Sequence, residues 1–297
     1  MILEHDAKQC LTAILWDSVA EPEALCSNPA AWKSAAHMET AKGKFKGQGE
    51  SGGEEWLGAP NRQVLMQRLK NGWPEGVQKI EQIATRELSA PASVRRRRIR
   101  GDHGDELDMQ AVWRGDLTRA WSRTRRANRV GPRVINIIID LGANAGTSSK
   151  QLFWRGASAL RLAQLLTESG YNVALYGAIG IRRADSSGKL NAAQLVEIKS
   201  TDSPLDMDKL AALTAMAGFF RTSMFAGIVY AADQHNNSDV DWGLGSAEPE
   251  NIAKAVKLLP IPQDVIIQRN VLSEEAANKW IDEALLQIDK PQLKEAA

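Results

Sequence analysis

The chain has 297 residues, of which 43% are hydrophobic and 25% charged, ordinary globular values that exclude wholesale disorder and leave room for one large core or two ordinary ones. No stretch reaches the ~18 consecutive apolar residues of a membrane span, and the opening MILEHDAKQC lacks the basic and apolar segments of a secretory signal. The formal net charge of +1 conceals a concentration, since between Arg95 and Arg133 stand twelve arginines, no lysine and five acids, a local balance of +7. Cys10 and Cys26 are the only cysteines and read as reduced small hydrophobes, so a cytoplasmic location with no membrane partner is expected.

Residues 1–40 read as short helical stretches, AEPEALC and then NPAAWKSAAHMETA, with Asn28 as N-cap and Pro29 at the first helical position. The Gly-, Lys- and Glu-rich run at 41–55 has the composition of a mobile loop. NRQVLMQRLKNG, closed by Gly72, and VQKIEQIATREL form two helices around the turn Trp73-Pro74-Glu75-Gly76. An Arg-rich stretch follows, and DLTRAWSRTRRAN within it reads as a helix. The strongest strand is RVINIIIDL at 133–141, a continuous β-branched run of the kind buried on both faces of a parallel sheet. A helix, LFWRGASALRLAQLLTESG, and a second strand, YNVALYGAIGI, complete a βαβ unit. AAQLVEIKS at 192–200 is a third strand, expected at an edge and joined by a hairpin through ADSSGK. Helices over MDKLAALTAMAG and SMFAGIVYAAD, breaking near Gly218–Thr222, precede a further helix, AEPENIAKAVKLL. The strand DVIIQR and a terminal helix capped by Ser273 end the chain.

The expected fold is therefore α/β, an open and mostly parallel sheet with helices on both faces, preceded by a mainly helical amino-terminal region. It divides into residues 1–94, an Arg-rich connecting segment at 95–132 and the α/β domain at 133–297.

In such sheets ligands sit beyond the carboxyl ends of the strands. The buried strand ends at Asp140, followed by Leu141-Gly142-Ala143-Asn144, which can offer hard oxygens to Mg²⁺. The plainer reading is that Asp140 caps the loop through an Asx-turn.

Asp140-Leu141-Gly142-Ala143-Asn144 resembles the Asp-x-Ser-x-Ser metal-adhesion motif of von Willebrand A domains. Together with the preceding Arg-rich run and Gly104-Asp105-Glu106-Leu107-Asp108, it is similar to the entry to the A-domain in cobaltochelatase large-subunit and nitric-oxide-reductase-activation proteins. The likeness covers about residues 95–235. The amino-terminal NGWPEG does not belong to that pattern, and the combination looks more like proteins carried by tailed bacteriophages, which would place the chain in a host cytoplasm. The resemblance implies a Mg²⁺ site at Asp140, Asn144 and Thr222, and partnership with a AAA+ ATPase. Gly142 and Asn144 replace both motif serines, and Asp241 is the sole substitute for the family's later Thr-Asp-Gly, so the site departs from the family pattern.

The arginines form a second candidate site. Arg95, Arg96, Arg97, Arg98 and Arg100 lie in the basic run, and Arg119, Arg123 and Arg126 would share a face if their segment were helical. They can contact phosphates, with Trp113 and Trp121 stacking on bases. They can equally meet a protein partner, or pair internally with Asp102, Asp105, Glu106 and Asp108.

The four histidines show no zinc spacing, Ser158 lies mid-helix rather than in a nucleophile elbow, and no Gly-x-x-x-x-Gly-Lys-Ser/Thr is present. A non-catalytic von Willebrand A-like adaptor is accordingly the leading expectation. A nucleic-acid-binding protein is the alternative and a chelatase-type subunit the third reading.

Overall fold

The computed structural model describes residues 1–6, 8, 11–46, 53–83, 97–104, 106–125, 133–144, 146–185, 188–234, 249–262, 264–269 and 271–289. In chain order the strands are β1 (Ile2–Asp6), β2 (Leu11–Trp16), β3 (Arg97–Gly101), β4 (Glu106–Leu107), β5 (Trp121–Arg125), β6 (Val134–Asp140), β7 (Asn172–Asp185), β8 (Gly188–Lys199) and β9 (Val265–Ile267). The helices are α1 (Glu21–Cys26), α2 (Ala35–Lys46), α3 (Gly53–Leu57), α4 (Arg62–Asn71), α5 (Pro74–Glu81), α6 (Met109–Trp113), α7 (Ser149–Glu168), α8 (Met207–Thr214), α9 (Ala217–Phe219), α10 (Phe225–Gln234), α11 (Pro249–Leu258) and α12 (Glu274–Asp289). One compact unit joins Met1–Leu88 with Val134–Ala297, and a second comprises Ser89–Arg133.

The larger unit is α/β, as expected. Its sheet runs β1-β2-β8-β7-β6-β9, with β6 parallel to both β7 and β9. The β-branched run makes β6 interior because it has apolar groups for both faces: Ile135, Ile137 and Ile139 enter one buried cluster and Ile138 the other. Helix α7 lies against β6 and β7 on the first face and packs on α8 and α12. Helix α11 covers the second face through Ile252 and Ala255. Among the described residues no single helix is long and apolar enough to cross a membrane.

Five expectations for this unit are corrected. The segment read as short helices contributes β1 and β2, and β2 pairs in parallel with β8, so Leu11–Trp16 is sheet core rather than part of a helical preamble. A six-residue, mostly apolar run has no periodicity to tell strand from buried helix. Because β2 covers it, β8 is interior and not the edge, although its antiparallel hairpin with β7 is as expected. The loop placed at 41–55 is helical at both ends, within α2 and α3; its residues 47–52 lie outside those described. Asn28 makes no side-chain cap, and Pro29–Ala31 is a single 3-10 turn. The break expected near Gly218–Thr222 falls at Ala215–Met216, and Phe220–Met224 instead form a π-helical turn running into α10.

Helix α7 starts on a reciprocal cap: the Ser148 hydroxyl accepts from the Gln151 backbone N–H, and the Gln151 side chain accepts from the Ser148 N–H. Its close approach to α8 needs a glycine, since a Cβ at Gly156 would stand 2.2 Å from the Thr214 carbonyl carbon. The Gly72-Trp73 junction docks beside it, with α5 starting at Pro74 rather than after a Trp73–Gly76 turn: Trp73 N–H donates to Asp208 O at 2.9 Å and the Trp73 ring meets Phe153 of α7 edge-on.

The smaller unit holds a three-stranded antiparallel sheet, β3-β5-β4. The helix expected over DLTRAWSRTRRAN is instead a 3-10 turn at Leu117–Arg119 followed by β5, which pairs with β3 from Arg97↔Arg125 to Gly101↔Trp121. Helix propensity of the arginines is overridden there by strand pairing.

Gly156→Ala is expected to cost about 2–3 kcal/mol through overpacking against backbone that cannot move aside. Urea denaturation measures it, with Gly146→Ala, where a Cβ meets nothing within 4 Å, as the near-neutral control.

Candidate functional site

Within β8-β7-β6-β9 the chain order is third, second, first, fourth, so the direction of winding reverses between β6 and β9. That is where open α/β sheets leave a crevice beyond their carboxyl edge. Asp140 ends β6 there, and Gln268 directly follows β9.

Asp140 is 1% exposed. Its Oδ1 accepts the Gly142 N–H at 3.0 Å, the Asx-turn geometry, whereas its Oδ2 is buried with no hydrogen-bond partner among the described residues. Burial pushes the carboxyl above its ordinary range, opposed by the positive charges of Arg155 and Arg269. Arg155, in the second turn of α7, is 4% exposed and directs Nη1 at the backbone oxygens of Asp140, 3.0 Å away, and of Gly142. Burial lowers its pKa, opposed by Asp140. Gln268 is fully buried and donates from Nε2 to Arg155 O at 2.8 Å and Ser158 Oγ at 2.7 Å. Arg155 Nε and Gln268 Oε1 are left without hydrogen-bond partners.

The loop then turns through a Thr147 N–H to Asn144 O bond of 2.9 Å, and Asn144, the residue that opens this turn, is exposed. Its far end is held by Arg221 of the π-turn, which donates to Thr147 O and Trp56 O, both at 2.6 Å, and stacks 3.7 Å over the Trp56 ring. Bulges of this kind recur at functional positions.

Of the three residues expected to hold Mg²⁺, Asp140 brings a buried oxygen to the edge and Asn144 an exposed amide. Thr222 is buried with its hydroxyl donating to Gly218 O at 2.7 Å in its own helix. A divalent ion would take the Asp140 Oδ2, but the Arg155 guanidinium already supplies positive charge beside that carboxylate. Among the described residues no group of three or more His, Cys, Asp or Glu is placed to hold a metal. The set thus fits a divalent cation only in part.

The expected arginine stripe does not form, because Arg119 lies in the 3-10 turn and Arg123 in β5. Arg95, Arg96, Arg126, Asp241 and Cys10 lie outside the described residues, while Arg97 and Arg98 stand in β3. Arg100 pairs with Asp108 at 3.3 Å, the internal pairing that its acidic neighbours suggested. Ser158 is fully buried and bonds back to its helix, and Cys26 is free, buried and raised in pKa by burial, so neither is an activated nucleophile.

Three functional groups escaped the sequence reading. Arg155 and Arg221 bind loop carbonyls 13 and 74 residues away, and Gln268 binds the Arg155 carbonyl in α7 from 113 residues away, bonds that no local motif announces. The only available signal was a charged or amide side chain in an otherwise apolar run.

The fold and its edge define an α/β protein with a switch-point loop, the class that binds ligands or partners at the strand ends. The chain belongs to a family described as a domain of unknown function, DUF7192, whose model matches residues 10–291, from the start of β2 to beyond α12. No curated protein and no solved structure matches it.

The Asp140 shift sets a pH dependence. A folded-state pKa raised above the unfolded value gives stability that is complete below the ordinary carboxylate range and lost as pH rises through the raised value. Asp140→Asn keeps the acceptor for Gly142 and removes the buried charge. It is expected to be more stable than the parent at about pH 7, the difference vanishing near pH 4, in urea titrations at both values. A less stable variant at pH 7 would show that the attraction of Arg155 outweighs burial.

Proposed function

We propose that this chain is a non-catalytic binding protein, an adaptor whose von Willebrand A-like sheet presents the 140–147 loop to a protein partner. The observation that carries this reading is that buried Arg155 and Arg221 grip the loop by its backbone oxygens and leave Asn144 exposed on it. Side chains used in this way hold a contact surface in one shape before binding, which lowers the ordering cost of association. They are not arranged as a nucleophile with its base. Support for the von Willebrand A-like assignment comes from the Asp140 motif at the end of the central strand and from the winding reversal beside it. A AAA+ ATPase is the partner class that this resemblance suggests, and a macromolecular assembly such as a phage particle is the setting in which the adaptor would act.

Asn144→Arg tests the reading, because it alters an exposed loop side chain without touching the core. The parent chain expressed in its source cell should carry a AAA+ ATPase through purification, identified by mass spectrometry and ATP turnover. The variant should retain at most about one-tenth of it at unchanged melting temperature, a loss of ~1.4 kcal/mol in binding. Absence of the ATPase, or equal retention by the variant, refutes the adaptor role.

Mg²⁺ enters this proposal as a weak ligand of Asp140, because the neighbouring guanidinium competes for the carboxylate. Titration calorimetry should give heat only at roughly millimolar Mg²⁺, abolished in Asp140→Ala, corresponding to about −4 kcal/mol. No Asp140-dependent heat would remove the metal from the proposal.

A further inference from the structure

Seven large hydrophobic side chains are exposed among the described residues, and four of them, Leu107, Met109, Trp113 and Leu117, fall in the small Ser89–Arg133 unit. Trp113 is 79% exposed, an unusual position for a tryptophan. Met109 and Trp113 are one turn apart on α6 and share a face, and Leu117 follows in the adjoining 3-10 turn at 63% exposure. Exposed Arg114 and Arg119 stand beside them, and neither is ion-paired among the described residues. Asp116, between Arg114 and Arg119 in sequence, accepts from the Thr118 hydroxyl at 3.1 Å. The balance of +7 over 95–133 leaves the rest of the chain at −6, so positive charge is segregated onto this unit.

We propose that α6 and the following turn form a binding surface for single-stranded nucleic acid, with Trp113 stacking on a base and Arg114 and Arg119 meeting phosphates. An exposed indole offers an apolar plane that any base can cover, and the guanidinium fork matches the phosphate oxygens. Charge complementarity selects a polyanion. The tryptophan selects a strand whose bases are unstacked over a duplex whose bases are not. Arg100 is excluded from the phosphate set by its pairing with Asp108. The surface is independent of the adaptor reading and stands or falls separately from it.

The test is fluorescence anisotropy of the full chain with a fluorescein-labelled oligo-dT of about 20 nucleotides, at roughly 50 and 200 mM salt. The parent should bind in the micromolar range at the lower salt and lose affinity steeply at the higher. Trp113→Ala should weaken binding about tenfold with the salt slope unchanged, and Trp113→Phe should recover most of the loss. Arg114→Ala with Arg119→Ala should reduce the salt slope by about 1.4, or ~0.7 for each phosphate contact on a single strand. These side chains are exposed, so circular dichroism and melting should match the parent in every variant. Failure of the parent to bind the oligonucleotide, or equal binding by Trp113→Ala, overturns the proposal. So does binding of a duplex or of a labelled oligo-glutamate as tightly as the single strand, since either result would make the surface a general anion site or a protein contact.

Discussion

The carboxyl edge of the sheet depends on one guanidinium held out of water. Removing an arginine from solvent costs several kcal/mol unless oxygen atoms replace its hydration. Arg155 meets this demand with the backbone oxygens of Asp140 and Gly142, two groups that would otherwise also lie buried and unpaired at the end of a strand. Gln268 closes the arrangement from the neighbouring strand by donating to Arg155 O and Ser158 Oγ. Strand β6, helix α7 and the end of β9 are thereby joined by hydrogen bonds as well as by apolar packing. The Asp140 carboxylate adds negative charge beside the cation while losing its own hydration, and its raised pKa measures that conflict.

The amino-terminal segment is tied into the same body by buried polar bonds over long sequence distances. Trp16 of β2 donates from Nε1 to Gln194 Oε1 at 3.0 Å, and the Gln194 amide donates to Met224 O at the end of the π-turn. Gly227 leaves the space for this amide, since a Cβ there would lie 2.0 Å from Gln194 Oε1. Asp233, at the other end of α10, receives the Lys33 and Ser34 N–H groups at 2.7 and 2.9 Å and meets His37 Nδ1 at 2.8 Å. A carboxylate at the start of α2 satisfies the unpaired amides of a helix end and complements its dipole. The strands and helices before α3 therefore belong to the α/β body, and the family match beginning at residue 10 takes in most of them.

What the sequence made legible was the part written in local patterns. The β-branched run at 134–140, the glycine and proline punctuation of α4 and α5, the hairpin of β7 and β8 and the Ser273 cap of α12 each declare themselves within a few residues. The short run Leu11–Trp16 did not, because six residues all buried, five of them apolar, carry neither a period of 2 nor one of 3.6. Nor did β5, whose arginines suit a helix until β3 offers it a partner. At the site, Asp140 was legible from its place at a strand end, and the Asx-turn was the plainer of its two readings. Arg155 was not, since nothing in ArgGlyAlaSerAla distinguishes an arginine facing solvent from one turned onto a loop.

The two units use polar and apolar groups in opposite ways. In the larger unit, charged and amide side chains turn inward: Arg155, Arg221, Gln194 and Asp233 are buried, and each bonds to backbone that a loop, a π-turn or a helix end leaves open. Inward polar groups fix shape and leave the surface to whatever the loops display. In the smaller unit, Trp113, Met109 and Leu117 turn outward among arginines, although burying a tryptophan alone removes 150–250 Å² from water. Leaving that area exposed is a standing loss of hydrophobic stabilisation, and a binding partner that covers the indole would recover it.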